Sequence, residues 1–199
     1  DGDGYREMIV TLCTHQGTHL DAPAHLLADG LTLDRLALTS FVGKALLLDC
    51  TTMTGTTIDE GALHPYGELL GRHDFVLLHT GWSRWWGEQR YFRDYPVLSE
   101  AAARRLVAAG VRGVGVDAVS VDPLAALELP IHRLLLGAGL VIVENLTNLA
   151  TIPQQSFLFS CLPLNIENGD GSPVRAVALL PGSLPLRCQG KTTTRESGR

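Results

Sequence analysis

Between Thr14 and Leu26 the chain places His15, His19, Asp21 and His25 within eleven residues, and no other stretch restricts its fold as tightly. Three of the seven histidines fall here. His15 and His19 are four apart, a spacing that puts two side chains on one helix face, as in metal-binding HExxH sequences. A helix does not suit this segment. Gln16 stands where that pattern needs a catalytic Glu, Gly17 and Thr18 weaken a helix, and Pro23 clashes with the carbonyl four residues back. An extended path with a sharp bend at Gly17 lets His15 end one strand and puts His19 and Asp21 on the same side of the next. Three ligands then converge from one short excursion. Imidazole nitrogens suit zinc, manganese or iron, and the Asp21 carboxylate adds neutralising charge and can bridge two ions. His25, two residues past Pro23, is free to stay off the metal and shuttle protons.

A metal held by one loop needs a further ligand from elsewhere in the chain. Glu144 directly follows the apolar run Leu140-Val141-Ile142-Val143, and a charge at the end of a buried strand costs several kcal/mol unless it is paired or bound to metal. Twelve residues earlier, His132 follows Pro130 at the start of a short helix expected over 132–136, closed by Gly137 and Gly139. His132 and Glu144 are thus expected to face one cavity at the strand ends, where α/β proteins place ligands.

The rest of the chain frames this site. Leu46 to Cys50, Phe75 to Leu78, Val114 to Val116 and Leu140 to Val143 are short apolar runs of buried-strand type bounded by turn formers. Ser99 to Ala109 reads as a helix with Ser99 as its cap and Gly110 as its left-handed terminator. Tyr5 to Thr14 and Ser156 to Pro163 carry β-branched and aromatic residues and are expected to be antiparallel strands. A single domain of mixed-sheet α/β type follows, expected over residues 1–189. The polar stretch 190–199 is expected to be a disordered tail. Sixteen basic against 21 acidic residues give a net charge of −5, which argues against nucleic acid and anionic lipid as partners. No apolar run is long enough to cross a bilayer. The four scattered cysteines, with no CxxC pair, point to reduced thiols and a cytoplasmic location.

The string His15-Gln-Gly-Thr-His19-Leu-Asp21-Ala-Pro-Ala-His25 resembles the HxGTHxDxPxH signature of the cyclase-like metal hydrolase superfamily, which includes bacterial-type kynurenine formamidase and isatin hydrolase. The resemblance continues through Leu77 to Trp82, Gly115 to Asp122, Glu144 to Leu149 and Gly171 to Ala176. It implies the swivelling β/β/α fold of that family, assembled as a homodimer or homotetramer. It also implies that His15, His19 and Asp21 bind a divalent ion, zinc before manganese, with His132 and Glu144 completing a site for one or two ions. Asp21 and Glu144 would bridge a second ion, and His25 would be the catalytic proton donor and acceptor. The implied reaction is hydrolysis of an amide-type C–N bond in a small molecule, an aryl formamide such as N-formylkynurenine first and a cyclic amide or lactone such as isatin second. The family pattern places a few dozen residues ahead of the signature, including an aromatic that covers the substrate, and the 1–189 unit is expected to lack them. His79 stands where many relatives carry Arg.

Several other residues have competing readings. Asp117, Ser120 and Asp122 follow a buried strand and suit either turn formation or the cavity wall, with turn formation favoured. Trp82, Trp85 and Trp86 with Arg84 suit packing or a subunit contact better than a substrate wall. Cys13, two residues from His15, is expected to be a small buried residue. As a metal ligand it would instead close the site and make the chain a non-catalytic, metal-stabilised binding protein. His64 and His73 sit in polar loops and carry no assigned role.

Overall fold

The computed structural model describes residues 4–180; the tail expected at 190–199 lies outside the described residues. Among the described residues there are ten strands: β1 (His19–Asp21), β2 (Val42–Asp49), β3 (Thr57–Ile58), β4 (Phe75–His79), β5 (Val97–Leu98), β6 (Gly113–Val116), β7 (Val141–Glu144), β8 (Ser156–Ser160), β9 (Gly171–Pro173) and β10 (Val177–Leu179). The α-helices are α1 (Gly67–Leu70), α2 (Glu100–Ala108) and α3 (Pro130–Gly137). Eight strands form one sheet in the order β10-β8-β2-β4-β6-β7-β1-β9, and β3 and β5 form a small parallel pair.

The four central strands β2, β4, β6 and β7 run parallel, and antiparallel strands flank them on both sides. This mixed arrangement is the one the short apolar runs called for, because parallel strands are buried on both faces and read as continuous hydrophobic sequence. Side-chain alternation divides β4 cleanly. Val76 and Leu78 join the core shared with α2 and α3, while Phe75 and Leu77 join a second core with Leu20, Val143, Phe157 and Phe159. Helix α2 starts where Ser99 Oγ accepts from the Ala102 amide, and Gly110, at φ +75°, takes the left-handed conformation that ends such a helix.

The outermost strands β9 and β10 are joined by only three residues, 174–176. Such a link spans at most about 14 Å, whereas the edges of a flat eight-stranded sheet would lie about 33 Å apart. The sheet must therefore curl until its two edges approach. That curl brings the β1 end of the sheet into the interior of the fold.

Three expectations need correction. Residues 5–14 form no strand, and Met8, Ile9 and Val10 are exposed. Strand propensity takes effect only where a sheet edge accepts the backbone, and the two sides of β1 are already paired with β7 and β9. His15 consequently lies in a turn, not at a strand end. Helix α3 begins at Pro130, two residues earlier than expected, since a proline at the first helical position has its φ already set. Among the described residues no helix is long and apolar enough to cross a membrane.

Candidate metal centre

Register places the site. Strand β1 lies antiparallel between β7 and β9, with His19 opposite Glu144 and Asp21 opposite Gly171. His19 and Asp21 alternate onto one face, as the two-residue spacing requires. Gly17, at φ +65°, makes the bend that turns His15 back over that face. Glu144 closes the buried strand β7, and α3 brings His132 in from the helical layer. Residues 125 positions apart in sequence thus meet at the curled end of the sheet.

The distances are those of a donor cluster. His19 Nε2 lies 3.2 Å from Asp21 Oδ1 and 3.6 Å from Glu144 Oε2. His132 Nε2 lies 3.1 Å from Glu144 Oε1 and 3.6 Å from Asp21 Oδ2. Donors at about 2.0–2.2 Å from a tetrahedral zinc ion are separated from one another by about 3.3 Å, so the spacing fits such an ion. Asp21 is fully buried, and its Oδ2 has no hydrogen-bond partner. A buried carboxylate oxygen left without a donor costs free energy that a cation removes. The residues present therefore fit the divalent ion that the motif implies. His15 joins the cluster through Nδ1, 2.7 Å from Asp21 Oδ1. His25 ends a 3₁₀ turn over Pro23–His25 and stands at the open side, its ring centroid 3.9 Å from that of His15 and 6.3 Å from that of His132. Cys13, expected to be buried, is instead exposed, because the segment that carries it joins no sheet, and it belongs to none of the clusters that group metal-competent side chains among the described residues.

Residues 5–123 match the Cyclase family model ("Putative cyclase"), which is more than half of the chain. The chain belongs to the cyclase family. It is 37% identical over 166 residues to the kynurenine formamidase of Salinibacter ruber, covering 83% of this chain and 76% of that protein. Isatin hydrolase A from Labrenzia aggregata, bound to benzyl benzoate, superposes with a TM-score of 0.79 at 28% identity, covering 88% of this chain and 77% of that one. A protein described as "Potential Metal-Dependent Hydrolase With Cyclase Activity" superposes with a TM-score of 0.65 at 29% identity, over 83% and 79% of the two chains.

In this chain the electrostatics of the cluster ask for positive charge. Burial pushes the Asp21 carboxyl up, but the neighbouring imidazoles of His132, His15 and His19 outweigh it and hold Asp21 well below the usual carboxylate range. Burial raises Glu144, helped by the charge of Asp21 and opposed by His132. Burial works against charge on His132 and His15, yet Asp122, Asp21 and Glu144 lift His132 to about 11, and Asp21 and Asp170 lift His15 to about 9. His25 is the exception, because burial, reinforced by the charges of His15 and His132, outweighs Asp21 and Asp170 and pushes its pKa down. It is therefore neutral at neutral pH.

A stability prediction follows for the metal-free chain. Both imidazoles have folded pKa values above the unfolded value near 6.5, so their contribution is complete below about pH 6.5 and is lost as pH rises through about 9 and about 11. The thermal midpoint of chelator-treated protein is expected to fall between about pH 7 and about pH 9. Metal-loaded protein, whose imidazoles hold the ion in place of protons, is expected not to show this fall.

The buried acids around the cluster have distinct tasks. Asp117 accepts from the Thr80 amide and hydroxyl and from the Gly81 amide, which makes it the anchor of the 79–81 turn. Asp122 reaches α3, whose first turn has no side-chain cap from Leu129, and accepts from the backbone amides of Ile131 and His132. Its Oδ2 also accepts from His132 Nδ1 at 2.8 Å, which leaves Nε2 to face the cluster. Asp122→Asn is expected to weaken metal affinity by about 10–100-fold, read by chelator competition, because the partner that fixes the tautomer is lost. An unchanged affinity would mean that the helix alone orients His132.

Sequence reasoning missed Asp170, whose Oδ2 lies 3.0 Å from His15 Nε2 and 3.5 Å from His25 Nδ1. Its only signal is an acidic residue just ahead of the strand that pairs with His19–Asp21, a register the chain order does not reveal. The adjacent Gly171 is also required, since a Cβ there would overlap the His15 ring. Arg90 lies 3.8 Å over the Trp85 ring and 5.9 Å from that of Trp82, Trp82 Nε1 donates to the Tyr91 carbonyl while its ring packs against the core shared with α2 and α3, and Trp86 is exposed. His79 lies 4.0 Å from Asp49, and His73 bonds the Leu69 carbonyl and Ser156 Oγ.

Proposed function

We propose that this protein is a metal-dependent hydrolase of an amide-type C–N bond in a small molecule, with an aryl formamide such as N-formylkynurenine as the favoured substrate. One observation carries the reading: an open-sided cluster of buried imidazole and carboxylate donors, with an unpartnered Asp21 oxygen, stands beside a histidine whose pKa is pushed down. The 37% identity to a kynurenine formamidase supports the choice of substrate. His19, Asp21, His132 and Glu144 would hold the ion, with His15 Nδ1 as a further donor. Zinc would be favoured over manganese, with one ion or two held by this donor set. When bound, the ion supplies Lewis-acid chemistry and activation of water at neutral pH.

The chain's own residues do the rest. Asp122 keeps the Nε2 lone pair of His132 directed into the site. His25, partly exposed at the mouth, takes a proton from the attacking water and gives it to the leaving nitrogen. The buried faces of β1 and β7 exclude bulk water from the carboxylates, which strengthens each charge interaction there.

The same reading includes a reducing, cytoplasmic location, supported by the free thiols of Cys13, Cys50 and Cys161. It also includes a homodimer or homotetramer, supported by the exposed apolar run Met8, Ile9 and Val10. The TM-score of 0.79 to an isatin hydrolase favours a second reading, the opening of a cyclic amide. Assay of metal-reloaded protein on N-formylkynurenine and isatin side by side separates the two. The formamide is expected to give at least about tenfold the kcat/KM of isatin, a margin worth about 1.4 kcal/mol. The reverse preference would establish the second reading, and no turnover of either by metal-loaded protein would contradict the proposal.

A further inference from the structure

We propose that His15 Nε2, His25 Nδ1 and Asp170 Oδ2 form a second, weaker divalent-metal site at the rim of the centre, whose occupation by excess zinc shuts the enzyme down. Asp170 Oδ2 lies 3.0 Å from His15 Nε2 and 3.5 Å from His25 Nδ1, and each of the three residues offers a ligand atom within 4.8 Å of those of the other two. Two imidazoles and one carboxylate are a sufficient zinc donor set that leaves coordination positions open to solvent.

The fold builds this rim. The Ala22 amide donates to the Asp170 carbonyl, which ties the residue before β9 to the end of β1. Gly171 leaves the gap that the His15 ring occupies. The 3₁₀ turn over Pro23–His25 then stacks His25 against His15 at 3.9 Å. The three side chains are 19%, 24% and 43% exposed, whereas Asp21, His132 and Glu144 are 0%, 5% and 7%. An ion arriving from solvent therefore meets the rim donors first.

His15 faces both sites from one ring, with Nδ1 towards Asp21 and Nε2 towards Asp170. A neutral imidazole has one lone pair and one N–H, so His15 serves one ion at a time. The rim ion takes Nε2, displaces its proton to solvent and leaves Nδ1–H donating to Asp21. At His25 the ion takes the Nδ1 lone pair and leaves the proton on Nε2, so the ring no longer has a lone pair with which to accept a proton. Metal binding at the rim stands apart from the hydrolase reading; only the loss of turnover rests on it.

Equilibrium dialysis of the full chain against zinc, from substoichiometric to large excess, tests the site. Wild-type protein is expected to take up its tight zinc first and then one weaker equivalent. Asp170→Asn and His25→Gln are each expected to lose the weaker equivalent and keep the tight zinc; two variants on different elements guard against one failing to fold. In parallel, excess zinc is expected to inhibit the wild type, and Asp170→Asn to lose that inhibition when each is measured against its own maximal rate. Absence of a weaker equivalent in the wild type would overturn the site, as would its persistence in both variants, which would mark it as adventitious surface binding. Failure to hydrolyse either substrate, with the weaker equivalent present and variant-sensitive, would count against the hydrolase reading while supporting the rim site.

Discussion

Asp21→Asn is expected to remove bound metal and hydrolytic activity together. The residue is fully buried, and its two oxygens face three imidazoles at once: His15 at 2.7 Å and His19 at 3.2 Å from Oδ1, and His132 at 3.6 Å from Oδ2. Replacing one oxygen by an amide NH₂ takes away the charge that holds these rings and points donors at other donors. Breaking a buried ion pair on one side costs about 3–5 kcal/mol, a loss that falls on metal affinity and folding stability. Losing several kcal/mol of charge stabilisation in the transition state corresponds to a fall in kcat/KM of about 10³-fold or more. Metal content and kcat/KM of the purified variant are the measurements. A variant that kept its full complement of metal would remove Asp21 from the centre.

His25→Ala is expected to behave in the opposite way on metal and in the same direction on rate. His25 touches the cluster by stacking on His15 and by approaching Asp170, and none of its atoms lies among the closest donor contacts of Asp21, Glu144 and His132. The tight zinc should therefore remain. Turnover should fall by about 10²–10⁴-fold, the usual contribution of a positioned proton-transfer group, with most of the loss in kcat. Thermal stability should change little, because the side chain is partly exposed. Full activity in this variant would end its assignment as the proton carrier, whatever the metal content.

These two residues also show how far the sequence could be read. His15, His19, Asp21 and His25 are legible because their chemistry is packed into one segment whose Gly17 and Pro23 oppose a helix. Glu144 and His132 are legible because a carboxylate at the end of an apolar strand and a histidine after a helix-opening proline both need an explanation. The four parallel strands and α2 follow from local rules of hydrophobic runs and caps. What escaped is non-local. The pairing of β1 between β7 and β9 is fixed by the curl of the sheet, so neither the place of Asp170 nor the need for Gly171 is visible in chain order. In chain order Asp122 suits turn formation before the cavity wall, yet its carboxylate accepts from the first-turn amides of α3 and orients His132. The run at 5–14 has strand composition but no sheet edge to join, so propensity misleads there.

His15, His19, Asp21, His132 and Glu144 are expected to assemble one functional metal centre. Glu144 is the most informative member to change, since it comes from a different part of the chain than the histidine segment and faces both His19 and His132. The decisive measurement is elemental analysis of purified wild-type protein beside Glu144→Gln, counting tightly bound metal per protomer. One or two equivalents in the wild type, lost or reduced in the variant, are the predicted result. No tightly bound metal in the wild type after zinc and manganese supplementation, or an undiminished complement in Glu144→Gln, would contradict it.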